Sequence, residues 1–198
     1  MPRSSRPLLP QIYQLKVTLY EVEPPVWRRL LVPGDLTFGQ LHLVLQEAMG
    51  WQNCHLHEFE IGDRRIGEPS DEWSNDLQPD DERRIRLAKG LPEVGASFLY
   101  KYDFGDGWKH EILVEKLDAH DPRVAYPLCI AGARACPPED CGAASGYHQL
   151  LIKLADAQDE EHDHMVAWVG GLFDPAGFDV NRTNAAIRGI RQLRRARR

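Results

Sequence analysis

No apolar run in these 198 residues approaches the ~20 needed to span a bilayer. The start, Met1-Pro2-Arg3-Ser4-Ser5-Arg6, has no apolar signal core behind it, and Pro7-Leu8-Leu9-Pro10 is far too short to supply one. Residues 1–10 are therefore read as a disordered leader, no membrane partner is expected, and a cytoplasmic location follows by default. Cysteine is scarce. Cys54, Cys129, Cys136 and Cys141, without a secretory signal, suit reduced thiols or metal ligands better than disulfides. Three chemistries lack their signatures: there is no phosphate-cradling glycine loop, no nucleophile elbow and no dinucleotide fingerprint.

What is present is an ordinary globular composition, 42% hydrophobic and 27% charged, in a chain long enough for one substantial core. The net charge of −6 hides an asymmetry. Seven of the 24 basic residues fall in 182–198, leaving 17 bases against 30 acids before them. An acidic body is a poor match for a phosphate backbone. Only the arginine-rich end, Arg188 to Arg198, offers a nucleic-acid contact, and its commoner role is a solvated helix terminus whose cations suit the dipole.

Tyr13, Leu15, Val17 and Leu19 alternate with polar residues as in a half-buried strand. Glu23-Pro24-Pro25 interrupts, and Val26 to Val32 resumes. Thr37 and Gln40 form a capping box ahead of an apolar stripe from Phe38 to Met49, which Gly50 ends. Residues 55–61 read as the next strand and 67–82 as a surface loop. Gly105-Asp106-Gly107 reads as a three-residue hairpin turn, setting Phe104 opposite Trp108, Tyr102 opposite His110, Asp103 opposite Lys109 and Lys101 opposite Glu111. Residues 129–146 read as loop, and 147–157, 160–170 and 181–195 as helices. The expected fold is α+β: one domain over 11–195, with a mostly antiparallel β-β-α-β-β-hairpin core in 11–116 and a loop-plus-helix portion in 117–195.

Several segments carry a resemblance: Pro25-Val26-Trp27-Arg28-Arg29, Leu56-His57-Glu58-Phe59, Tyr102 to His110, Ala135-Cys136-Pro137-Pro138-Glu139-Asp140-Cys141-Gly142 and Phe173-Asp174-Pro175. With them the chain resembles the family named after a third open reading frame of a root-inducing plasmid, also labelled an insertion-element passenger protein or TnpR. The resemblance implies a compact α+β fold and no established catalytic activity. Recombination has no chemistry here: the only early serines are Ser4 and Ser5, the last tyrosine is Tyr147, and no helix-turn-helix is evident.

Asp103, Asp106, Trp108 and His110 on the hairpin, with His55 and His57 two apart on a strand, are the candidate ligand-binding residues. For His110 the plainer expectation is a core imidazole bonded to a tyrosine or a backbone carbonyl. Cys129, Cys136, Cys141 and His148 offer four soft ligands, although their spacing lacks the short two-residue knuckle of a recognisable zinc site. No cofactor is expected beyond a structural zinc ion there. Glu139-Asp140 reads as the start of a helical turn rather than an acid/base pair. The expected function is a non-enzymatic binding or interaction module. The alternatives are a metal-dependent hydrolase or nuclease built from His55, His57, Asp103, Asp106 and His110, or accessory nucleic-acid binding through the arginine-rich end.

Overall fold

The computed structural model of the chain describes residues 10–69 and 78–196. The expected leader, Pro10 apart, and the side chains of the arginine-rich end beyond residue 190 lie outside the described residues. The elements are β1 (Ile12–Leu19), β2 (Trp27–Pro33), α1 (Phe38–Met49), β3 (His57–Ile61), β4 (Arg64–Gly67), β5 (Asp80–Asp81), a short α2 (Leu87–Gly90), β6 (Ser97–Tyr102), β7 (Trp108–Asp118), β8 (Leu128–Ala133), α3 (Ala143–Ala155), α4 (His162–Trp168) and α5 (Val180–Ala196). The strands form one sheet in the order β5-β4-β3-β6-β7-β1-β2-β8, antiparallel throughout except for β4 with β5. The fold is α+β, and among the described residues no helix is long and apolar enough to cross a membrane.

Period-two alternation assigns the faces. Leu15, Val17, Leu30, Val32, Phe59, Tyr100, Ile112 and Val114 point inward and are fully buried, against Phe38, Leu41 and Leu45 of α1. On the opposite face Arg29 forks onto Glu115 at 2.7 and 2.8 Å, and Lys101 pairs with Glu60. The capping box forms as the sequence requires: Thr37 Oγ1 accepts from the Gln40 amide while Gln40 Oε1 accepts from the Thr37 amide at 2.9 Å, and Gly50 closes the helix in the left-handed region.

Two expectations need correction. Residues 128–133 form strand β8, not loop. β8 is an edge strand, and Asn184 of α5 holds its backbone from outside, donating to the Cys129 carbonyl and accepting from the Cys129 amide, both at 2.8 Å. The hairpin register also differs. Tyr102 faces Trp108, Tyr100 faces His110, and Lys101 faces Lys109. Asp103 adopts a φ of 55°, and its Oδ1 accepts from the amides of Gly105 and Asp106. This aspartate turn lengthens the loop to residues 103–107. The slip is two residues, so every side chain keeps its face while changing its partner. Trp168 is 44% exposed on α4.

The register makes a test. Trp108 is 2% exposed and Phe104 46%. Denaturant midpoints should show Trp108→Ala losing about 3–5 kcal/mol and Phe104→Ala no more than about 0.5 kcal/mol. Comparable losses would mean that Phe104 closes the hairpin after all.

Candidate metal centre

Three segments converge at one end of the sheet: residues 51–56 after α1, the hairpin loop 103–107, and residues 137–142. Each is pinned by hydrogen bonds that the apolar core alone would not supply. Trp51 Nε1 donates to the Pro137 carbonyl at 2.9 Å, Asp103 N donates to the Leu56 carbonyl at 2.9 Å, and Gly142 N donates to Asp106 Oδ2 at 3.1 Å. Asn53, Asp103 and Asp140 all take positive φ near 55°, a region that short polar side chains tolerate.

The segments gather four ionisable side chains. His55 Nε2 lies 3.7 Å from Asp103 Oδ2, 3.8 Å from Glu139 Oε2 and 3.1 Å from Asp140 Oδ1. Among the described residues none of the three carboxylates pairs with a lysine or arginine. Even a protonated His55 therefore leaves a formal excess of two negative charges. Asp103 and Glu139 keep only 9% and 8% of their side-chain surface exposed, where such an excess is poorly screened.

The hydrogen bonding leaves particular atoms free. Glu139 Oε1 accepts from the Gln52 amide at 2.7 Å and from the Tyr102 hydroxyl at 2.9 Å, while Oε2 is buried without a partner. Asp103 spends Oδ1 on its own turn and aims Oδ2 at His55. His55 Nε2 is likewise buried and unbonded. Donor atoms about 2.0–2.2 Å from one tetrahedral ion stand roughly 3.3–3.6 Å apart, close to the spacings here. The ligand atoms of His55, Asp103 and Asp140 all lie within 4.8 Å of one another, and those of Cys54, His55 and Glu139 form a second such set.

Only two of the six candidate hairpin and strand residues, His55 and Asp103, enter this cluster. Asp106 anchors its third segment. His57 parts from His55: its ring stacks on His42 at 3.4 Å between centroids, and its Nε2 meets Glu82 Oε2 at 2.6 Å. His110 is fully buried, with Nδ1 3.3 Å from the Tyr100 carbonyl, as a core imidazole would be. Trp108 is buried against Trp51. The cysteine set is not brought together: among the described residues no three of Cys129, Cys136, Cys141 and His148 hold ligand atoms within 4.8 Å. Cys129 donates to the Ala131 carbonyl within the β8 edge, burial pushes the Cys141 thiol up to about 12 and Cys136 higher still, and His148 is exposed on α3. Glu139 and Asp140, set aside as a helical turn, are the members of the cluster that the sequence reading missed. Their signal was the run Pro137-Pro138-Glu139-Asp140-Cys141-Gly142, which fixes two acids on a turn rather than in a helix.

Behind the cluster runs a closed ring of hydrogen bonds. Asn53 N donates to Gln46 Oε1, Gln46 Nε2 to the Tyr100 hydroxyl, Tyr100 to His42 Nδ1, and His42 Nε2 to Asn53 Oδ1, at 2.6–3.0 Å. With His42 neutral, its Nδ1 accepts from the Tyr100 hydroxyl and its Nε2 donates to Asn53 Oδ1. Burial first, and then the adjacent His57, lowers its pKa to about 3.

This is an α+β protein with a mostly antiparallel sheet, one end of which carries a candidate metal centre. By sequence the chain belongs to the family described as plasmid pRiA4b ORF-3-like protein, whose pattern matches residues 11–182; the TnpR label is not part of that description. It is 40% identical over 197 residues to "Uncharacterized protein y4hQ" of Sinorhizobium fredii, covering 96% of this chain and 99% of that one. Among solved structures it resembles a protein of unknown function from Methanosarcina mazei Go1, MM3350, with a TM-score of 0.80 and 36% identity over 87% of this chain and 97% of that one.

His42 and His110 make stability depend on pH. Burial lowers His110 to about 4, so both imidazoles stay neutral in the fold at pH values where the unfolded chain takes up protons. Their contribution is complete above about pH 6.5 and drains as pH falls towards 4, by up to about 1.4 kcal/mol per pH unit for each histidine. Urea midpoints between pH 7 and 4.5 should show a shallower fall in His110→Leu than in the parent. Equal slopes would mean that His110 is charged in the fold.

Proposed function

We propose that the protein binds a divalent transition-metal ion through His55, Asp103 and Asp140, with Cys54 and Glu139 as a second donor set sharing His55, and works as a metal-dependent binding module. The observation that carries this reading is the pair of buried, unbonded atoms, His55 Nε2 and Glu139 Oε2, facing each other within an uncompensated set of carboxylates. One imidazole with carboxylate oxygens, and a thiol close by on Cys54, is a donor set for zinc or a neighbouring first-row ion rather than for magnesium or calcium. The centre borders a cavity of about 560 Å³ to which His55, His57 and Glu82 contribute. The four free thiols suit a reducing compartment such as the cytoplasm.

A second reading, metal-dependent hydrolysis, is favoured by the opening of the centre to solvent, since Asp140 keeps 67% of its side chain exposed. An open position of that kind lets a metal-bound water act. Among the described residues the cavity lining contains no lysine or arginine, which favours an ester or amide over a phosphodiester and counts against a nuclease. The acidic body likewise leaves nucleic-acid binding to the arginine-rich end alone, and a role in mobile elements has only the family's plasmid origin behind it.

Calorimetric titration of the chelator-treated protein with zinc should find about one ion per chain. Asp103→Asn keeps the Oδ1 acceptor of the aspartate turn while removing the charge aimed at His55. It should weaken zinc by more than ~10-fold, the low end of the cost of losing even an outer-shell partner. Asp106→Asn should not. No saturable uptake, or an Asp103→Asn protein that binds like the parent, would overturn the metal reading. For hydrolysis, the measurement is zinc-dependent turnover of 4-nitrophenyl acetate that Asp103→Asn abolishes.

A further inference from the structure

Arg28 is 3% exposed, yet among the described residues it has no carboxylate partner. Its Nε donates to the Ala48 carbonyl at 2.9 Å, and its Nη1 to the carbonyls of Trp27 and Ala133 at 2.8 and 3.0 Å. The guanidinium stacks on Phe178 at 4.4 Å. That stack exists because Arg28 lies opposite Gly132 on β8, where any Cβ would sit 2.6 Å from the Phe178 ring. Two of the three nitrogens are thus spent on carbonyls. Nη2 makes no hydrogen bond, and it is not among the sealed, unpartnered atoms.

A buried charge needs compensation. The C-terminal dipole of α1, reached through Ala48, supplies about half a negative charge. The nearby Cys129 and Cys136 thiols supply none, because burial raises both and keeps them protonated. One nitrogen of the guanidinium is left without a partner.

Arg28 lines a cavity of about 730 Å³ between the end of α1, residues 172–179 and α5, well within the size range of small-molecule sites. The walls mix polar and apolar surface: Met49, Trp51, Phe173 and Phe178 supply the apolar part, with Leu172 standing fully in solvent at the rim. A second cation, Arg182, lines it, and its side chain has no ion-pair partner among the described residues. Asp174, Asp179 and Glu47 also contribute. The two aspartates each spend an oxygen capping their own turns, and together the three acids disfavour a dianion.

We infer that this cavity is a second binding site, separate from the metal centre, for a small organic monocarboxylate with an apolar or aromatic body. The carboxylate accepts from Arg28 Nη2 and completes its compensation, and the ring or chain lies against Trp51 and Phe173. The inference does not rest on the metal reading.

The test uses chelator-treated full-length protein, with Trp51 fluorescence and calorimetry as readouts and phenylacetate as the probe. Phenylacetate should bind saturably, and phenethylamine, its matched cation, at least ~10-fold more weakly. Inorganic phosphate should not compete. Ala186 lines the cavity from α5, so Ala186→Phe should fill it and abolish phenylacetate binding while leaving zinc uptake and the far-ultraviolet spectrum unchanged. This variant carries the test if Arg28→Met fails to fold; where Arg28→Met does fold, it should lose phenylacetate as well. Absence of saturable binding, equal binding of the amine, competition by phosphate, or unaltered binding in Ala186→Phe would each overturn the inference.

Discussion

Tyr100 buries a hydroxyl that must both donate and accept, and three parts of the molecule meet on it. Gln46 and His42 come from one face of α1, Tyr100 from the middle of the sheet, and Asn53 from the segment that carries His55. Each bond adds only about 0.5–1.5 kcal/mol net, while a group left unpaired in that place costs about 1–3 kcal/mol. The ring therefore acts through penalty more than through gain. A different seat for α1 would strand several buried polar groups at once, which apolar packing by Leu41 and Leu45 could not prevent. Asn53 is held in its left-handed conformation by the same bonds, so the position of His55 depends on the core being correctly assembled.

The candidate metal centre and the Arg28 cavity illustrate opposite electrostatic imbalances. Around His55, negative charge exceeds positive. Around Arg28, a buried cation has no carboxylate bonded to it. Trp51 stands between them, its indole nitrogen bonded to Pro137 on the side of the carboxylates and its ring lining the cavity of Arg28. Both imbalances sit beyond the same end of α1, in chain that leaves the helix or packs against its last turn.

Much of the fold was legible because it follows from periodicity and local chemistry. The alternation in β1 and β2, the Thr37–Gln40 capping box and the Gly50 stop all act within a few residues. Strand β8 was not, because Leu128 to Ala133 contains glycine and alanine, and its pairing is decided by β2 and Asn184 from afar. The hairpin showed the limit most clearly. Opposite charges at Asp103 and Lys109 argued for one register, but Asp103 satisfied two loop amides instead, and a period-two pattern cannot distinguish registers two residues apart. For the site, His55 and Asp103 were named for their chemistry, but Glu139 and Asp140 join them only through contacts spanning more than 30 residues. The cysteines show the converse, a suggestive composition in which no three of Cys129, Cys136, Cys141 and His148 bring ligand atoms within 4.8 Å among the described residues.

Asn184 presents to the Cys129 peptide the same donor and acceptor that a ninth strand would present. A single amide side chain thereby occupies the place where another polypeptide might dock by backbone pairing. The C-terminal helix thus covers part of its own sheet's edge through one asparagine far from either site, as a neighbouring strand would.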